Sequence, residues 1–348
     1  MNVRSLFISA AVLSLALPAV AFDRVSPLVP LNDLGPRPYA WGHFGGLYEN
    51  GSNSIPPDHA AAGAAMAQTI RPLDTNGNAA PDGRIVMLAF GGRNTARTIC
   101  NDFEGRCEAG SLTAQVAADP RVNRAVTILP AGRANIDSSV YRLPTFPIFE
   151  TIRDSVLTPA GVSEAQVQVV WLQLARSNPI APLPIQWADA YDLKIDISGA
   201  ITSMKIRYPN LRIAYLSSRE YGGYATTTWS PEPFAYETGF SNRWVVLGQI
   251  SQIRTGFDSD PARLGDLNYK TGAAPWLAWG PYLWANGTSA REDGLTWQRG
   301  DFEADGETLS AQGAHKSASL LFRFLRIEPT AQPWFWSTSP LKAHAARH

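Results

Sequence analysis

Five short apolar runs, each closed by turn-forming residues and set apart from the next by longer stretches, constrain this fold most. The runs are 84–90, 125–129, 167–174, 211–216 and 276–279. They are too short for core helices and lack a polar face, as strands covered on both sides do. Apolar residues recur at three- and four-residue spacing over 146–157, 185–207, 235–253 and 310–325, and an alanine-rich helix is expected over 59–70 with Asp58 as its N-cap. Strands alternating with helices predict an α/β fold with a mainly parallel sheet. Such sheets bind ligands beyond the carboxyl ends of their strands, so the loops starting at Gly91, Pro130, Ala175, Ser217 and Gly280 are where function is expected. Polar and aromatic side chains crowd four of them, at 92–95, 176–178, 217–224 and 280–286.

Charge narrows the partners. The 348 residues carry 30 Lys+Arg and 30 Asp+Glu, with no run of five like charges, so no basic surface draws the chain to nucleic acid or anionic lipid. A small polar ligand is expected instead, with no metal and no cofactor. The absence of an internal repeat excludes solenoids and propellers. Arg4, the apolar run 6–17 and Ala19-Val20-Ala21 have the form of an export signal over residues 1–21, and a run closed by Pro18 does not reach the length that spans a bilayer. A secreted or periplasmic chain beginning near Phe22 follows as the expectation. Cys100 and Cys107, the only two cysteines, are then expected to meet oxidants and close a small-loop disulfide, with two free thiols as the alternative. Residues 22–57, rich in Pro, Gly and Asn, suggest an extended arm on the domain surface, and 337–348 a tail.

A strand ending in Gly91, four further β-α units, and Asp305-Gly306-Glu307-Thr308-Leu309-Ser310 leading into a helix with Gly313 and Lys316 together resemble the SGNH/GDSL hydrolase superfamily. The strings Gly45-Gly-Leu-Tyr48, Tyr215-Leu-Ser-Ser-Arg219, Tyr221-Gly-Gly-Tyr-Ala225, Pro231-Glu-Pro-Phe-Ala-Tyr236 and Pro275-Trp-Leu-Ala-Trp-Gly-Pro-Tyr-Leu-Trp284 look like an exported bacterial branch of it. The resemblance implies a three-layer α/β/α sandwich over 58–336, with a five-stranded sheet of flavodoxin-like type. It also implies ester cleavage by a Ser just after the first strand, an Asp-x-x-His pair near the C-terminus, and a Gly and an Asn completing an oxyanion hole.

The chain departs from that pattern where the chemistry sits. Gly91-Gly92-Arg93-Asn94 stands where the family has Gly-x-Ser-Asn, placing Arg93 at the nucleophile position, and a guanidinium cannot attack a carbonyl. Asp305 holds the triad Asp position, but Thr308 stands where His belongs. A hydroxyl nucleophile without an adjacent base loses orders of magnitude in rate. His315 is seven positions beyond Thr308, too far along a helix to replace the base, and His43, His59, His344 and His348 are expected at the surface. Thr95, Ser217 and Ser218 are the substitute hydroxyls within reach. Gly91, Asn94, Gly132, Gln173 and Asn178 are the oxyanion and ligand candidates, with Arg219, Tyr221, Trp279 and Tyr282 as further ligand contacts from the later loops.

Two lesser signals have ordinary readings. The segment 74–82 places oxygen-bearing side chains as a calcium loop does, but Ala79 and Ile85 replace the required Gly and Glu, which leaves a solvated turn. The 11 Trp and 11 Tyr could stack on sugar rings, although core packing accounts for most. The function expected is therefore a non-catalytic or very weak SGNH relative binding a polar or carbohydrate-derived ligand, with Asp305 as the carboxylate nearest Arg93. An active carbohydrate esterase with an unconventional nucleophile, or a structural or protein-partner domain, are the alternatives.

Overall fold

The computed structural model describes residues 28–40, 42–100, 107–256 and 264–337. The export signal expected at 1–21, His344, His348 and all but the first residue of the expected tail lie outside them. All five apolar runs form the central sheet: β1 (Ile85–Gly91), β2 (Val126–Pro130), β3 (Val167–Gln173), β4 (Ile213–Leu216) and β5 (Trp276–Trp279). The strands are parallel and ordered β2-β1-β3-β4-β5, the flavodoxin-like doubly wound order. Pro130 ends β2, an edge strand, where a missing N–H removes no ladder bond.

Strand periodicity divides the core into two layers. Val86, Leu88 and Phe90 of β1, Ala214 and Leu216 of β4, and Leu277 and Trp279 of β5 face one cluster. It is closed by α4 (Pro147–Ile152), α5 (Asp189–Arg207) and α6 (Phe234–Thr255), through residues such as Phe149, Ile197 and Phe240. Ile85, Met87, Ala89, Ile213, Tyr215, Trp276 and Ala278 point the other way, against α1 (Pro57–Ala67), α2 (Arg93–Ile99), α3 (Leu112–Ala118) and α7 (Ala311–Ile327). The molecule is a three-layer α/β/α sandwich. A smaller cluster of Trp297, Phe302, Leu309 and Ala314 lies under the long connection from β5 to α7.

The structure moves several boundaries. α1 starts at Pro57 with Pro56 before it, so Asp58 lies in the first turn and is not the cap; a fixed φ and absent N–H suit proline to that start. α5 begins at Asp189, whose Oδ2 accepts the amides of Ile180 and Ala181, and not at 185. α2 and α3 carry no apolar stripe long enough to be read in advance.

The arm is not a surface strap. Leu31 and Tyr48 are core residues, and the Tyr48 hydroxyl accepts the Trp279 amide at 3.3 Å while the Trp279 indole donates to Leu47 O at 2.8 Å. Arg243 of α6 donates to the carbonyls of Gly46 and Tyr48, both at 3.0 Å. A segment without periodicity hides this role, because its few apolar anchors sit among turns. His59, expected at the surface, is also buried, stacked on Trp276 with its Nε2 2.7 Å from Leu277 O.

Cys100 and Cys107 are joined by a disulfide, and among the described residues no helix is long and apolar enough to cross a membrane. Both facts are compatible with a secreted or periplasmic protein. Ser337 donates its amide to Arg121 O at 2.8 Å, so the chain is tied down at least to that residue.

Among the described residues, burial raises the pKa of four carboxyls, those of Asp196, Glu232, Glu237 and Glu328, and so sets a pH dependence. Glu237, in the first turn of α6, accepts the Leu183 amide at 3.0 Å and the Tyr39 hydroxyl at 3.1 Å, yet burial pushes its carboxyl up to about 8. Burial likewise raises Asp196 of α5 to about 6, against the opposing hydrogen bond from Ser138. Each folded-state pKa lies above its unfolded value, so the native state holds a proton that the unfolded chain releases. The stability contributed is present below the unfolded pKa and lost as pH rises through the folded one. Burial lowers the pKa of His59 and His43, which favours the native state as pH rises to about 6.5, so the thermal unfolding midpoint is expected to fall as pH rises from there toward 8, and Glu237→Gln to lessen that fall. Equal slopes in the two proteins would contradict this assignment.

Candidate functional site

The loops at the carboxyl ends of the strands enclose a cleft of about 200 Å³. Gly92 and Arg93 come from the first loop, Asn135 and Ile136 from the second, and Ala175 from the third. Arg219, Thr227 and Trp229 come from the fourth, and Asp305, Glu307 and Thr308 from the connection before α7. The sequence-predicted trio of Arg93, Asp305 and Thr308 is thus brought together.

Local packing explains how. β1 must end in glycine, because a Cβ on Gly91 would lie 2.1 Å from Thr95 Oγ1 and 2.5 Å from Gln173 O. The chain then turns into α2, with Arg93 exposed and Asn94 buried. Asn94 fastens the first loop to the last: its Nδ2 donates to Glu307 O at 3.0 Å, and its Oδ1 accepts the Leu309 amide at 2.9 Å, across 213 and 215 positions. Asp305 opens a tight turn in which its Oδ1 accepts the amides of Glu307 at 3.0 Å and Thr308 at 2.8 Å. Gly306 has φ +68°, and a Cβ there would lie 1.8 Å from Tyr224 O, so no other residue fits the turn unaltered.

The Thr308 hydroxyl donates to Asp305 Oδ2 at 2.6 Å. Burial pushes the Asp305 carboxyl up, but the bonds from Thr308 and the amides, with the charge of Arg93, outweigh it and hold the group below its ordinary value. Asp305 serves its own turn and acts on Arg93 only through charge. Among the described residues, the Arg93 side chain makes no hydrogen bond or ion pair. Arg219, 8% exposed, pairs its Nη2 with Glu307 Oε1 at 3.2 Å, while its buried Nε has no partner. Glu307 Oε2 accepts the Thr227 hydroxyl at 2.9 Å.

Under this cleft lies a buried polar layer centred on Glu220. Its Oε1 accepts Gln173 Nε2 at 2.8 Å and Ser317 Oγ at 3.1 Å, and its Oε2 accepts Asn94 Nδ2 at 3.2 Å. Gln173 Oε1 in turn accepts the Thr95 hydroxyl at 2.9 Å. Asn94 and Gln173 are consequently engaged as structural links, with their amides turned into this layer. Gly132 backs closely on the first loop, where a Cβ would meet Gly92 O at 2.8 Å. Asn178, at φ +49°, accepts the hydroxyl of Thr228.

The substitute hydroxyls are all buried. Thr95 is bound to Gln173, Ser217 Oγ accepts the Trp171 indole at 2.8 Å, and Ser218 Oγ accepts the amides of Leu283 at 3.1 Å and Trp284 at 3.2 Å. The aromatic candidates also lie away from the cleft lining. Trp279 packs beneath the arm, Tyr282 OH accepts the Leu31 amide at 3.1 Å, and Tyr221 packs edge-on against Tyr224 and Trp284. The segment 74–82 closes on itself, Asp74 Oδ1 accepting the amides of Asn76 and Asn78, both at 2.9 Å. Among the described residues no cluster of three or more His, Cys, Asp or Glu could hold a metal.

Sequence reasoning missed Asn135, Thr227, Trp229 and Glu307 in the cleft and Glu220 beneath it. The signal for Trp229 was the continuation of the fourth loop through Thr226-Thr-Thr-Trp229, past the Tyr221-Gly-Gly-Tyr224 turn. No protein-family model and no curated protein matches this chain.

Glu220→Ala leaves the side-chain donors of Asn94, Gln173 and Ser317 facing a cavity, each costing about 1 to 3 kcal/mol if unpaired. A loss of roughly 3 kcal/mol or more in urea unfolding is expected. A loss under about 1 kcal/mol would show that the layer is not a structural joint.

Proposed function

We propose that the chain is an exported SGNH-hydrolase-like protein that binds a polar, carbohydrate-derived ligand in this cleft and performs little or no ester hydrolysis. The supporting observation is the meeting of Arg93, Asp305 and Thr308 at the carboxyl end of a flavodoxin-like sheet. In this reading the cleft keeps the layout of an esterase site and has lost its two reactive members. Thr308 reproduces one property of a triad histidine, donating a hydrogen bond to the Asp, but a hydroxyl cannot take a proton from a nucleophile at neutral pH. Arg93 offers N–H donors where a hydroxyl would attack, and so holds a ligand rather than cleaving it. The burial of Thr95 and Ser218 speaks against an esterase using either one.

The purified chain is expected neither to turn over acetyl esters nor to be labelled by a fluorophosphonate serine-hydrolase probe. Arg93→Ser combined with Thr308→His is expected to gain measurable hydrolysis, with each change alone giving far less, because nucleophile and base act as a unit. The damaging result is robust wild-type turnover that survives Arg93→Ala and disappears in Thr95→Ala or Ser218→Ala. That outcome would make the protein an esterase with a different nucleophile.

A further inference from the structure

We infer that the cleft takes one acidic sugar unit, with its carboxylate on Arg93 and the cleft edge of the Arg219 guanidinium and its ring against Trp229. This rests on the carbohydrate-binding reading above and adds the charge and size of the ligand.

Both cleft carboxylates are engaged: Asp305 accepts three hydrogen bonds within its own turn, and Glu307 accepts Arg219 and Thr227. The unsatisfied groups are donors. Arg93 presents a guanidinium with no hydrogen bond or ion pair among the described residues. Arg219 lines the same cleft, and its guanidinium spends only Nη2 on a side-chain bond, to Glu307. Two guanidinium groups with spare donors match a planar carboxylate better than a neutral hydroxyl.

Trp229 argues against a bare inorganic anion. Its half-buried indole lines the cleft and makes no side-chain hydrogen bond among the described residues, so an aromatic face and an N–H are both available. Aromatic planes beside charged donors suit a ring that has apolar C–H faces and a polar edge. A volume of about 200 Å³ accommodates a single sugar unit and not a chain of them. Glu307 keeps unused lone pairs for ring hydroxyls.

The test titrates the purified chain by calorimetry with D-glucuronate, D-galacturonate and D-mannuronate, each against its neutral hexose, and with acetate. At least one hexuronate is expected to bind about ten-fold or more tightly than both its hexose and acetate, the size of a charged hydrogen bond. Arg93→Met should erase the preference over the hexose. Trp229→Ala should erase the preference over acetate. Arg93 is exposed, so its variant tests binding without disturbing the core. Equal binding of hexuronate and hexose overturns the charge assignment and leaves carbohydrate binding standing. Equal binding of hexuronate and acetate overturns the sugar assignment. No binding by any of the sugars overturns both this inference and the reading on which it rests.

Discussion

The buried carboxyl of Glu220 is the joint on which the cleft depends. It receives hydrogen bonds from the first loop through Asn94, from the end of β3 through Gln173, and from α7 through Ser317. A parallel sheet leaves the loops at its carboxyl edge without backbone partners across from one another, so something else must hold them in register. A layer of polar side chains does this only when each member is satisfied, since a low-polarity interior penalises any donor left over. Asn94 completes the arrangement by clamping the backbone on both sides of Thr308. The residues beneath the cleft are thereby committed to structure, and those above it are not.

The same division explains why the aromatic residues expected to bind ligand do not line the cleft. Trp279 ends β5, Tyr282 follows soon after, and both are drawn into contact with the arm, where Tyr48 and Leu31 use their polar atoms. A large ring gains most when it is fully covered, and the arm supplies that cover. Trp229 is left half-buried because its loop passes over the cleft. Exposure of an aromatic residue, and not its presence, distinguishes a binding surface from core.

The fold was legible because strand and helix periodicities are local. Each of the five apolar runs became a strand, with edges moved by a residue or two, and the alternation implied the layers. The short α2 and α3 were not legible, since seven residues carry too little periodicity to separate from a turn. The arm was misread for a related reason: its anchors, Leu31 and Tyr48, are isolated apolar residues whose importance depends on what they meet. Within the site, Arg93, Asp305 and Thr308 could be named from motif positions, whereas Asn94 and Gln173 were assigned to ligand when they face Glu220.

The sequence by itself determined the strands, the helices that cover them and the edge at which the loops gather, because side-chain pattern and chain connectivity are properties of the sequence. It also determined that Arg93 follows the first strand and that Asp305 and Thr308 precede the last long helix. Only the tertiary structure decided which polar groups are spent on one another and which remain unsatisfied. Hydrogen bonds between residues more than 200 positions apart, such as Asn94 with Leu309, leave no mark in local pattern. Whether Arg93 met Asp305 as an ion pair or stood free depended on the turn at Gly306, which fills the Asp305 oxygens from within.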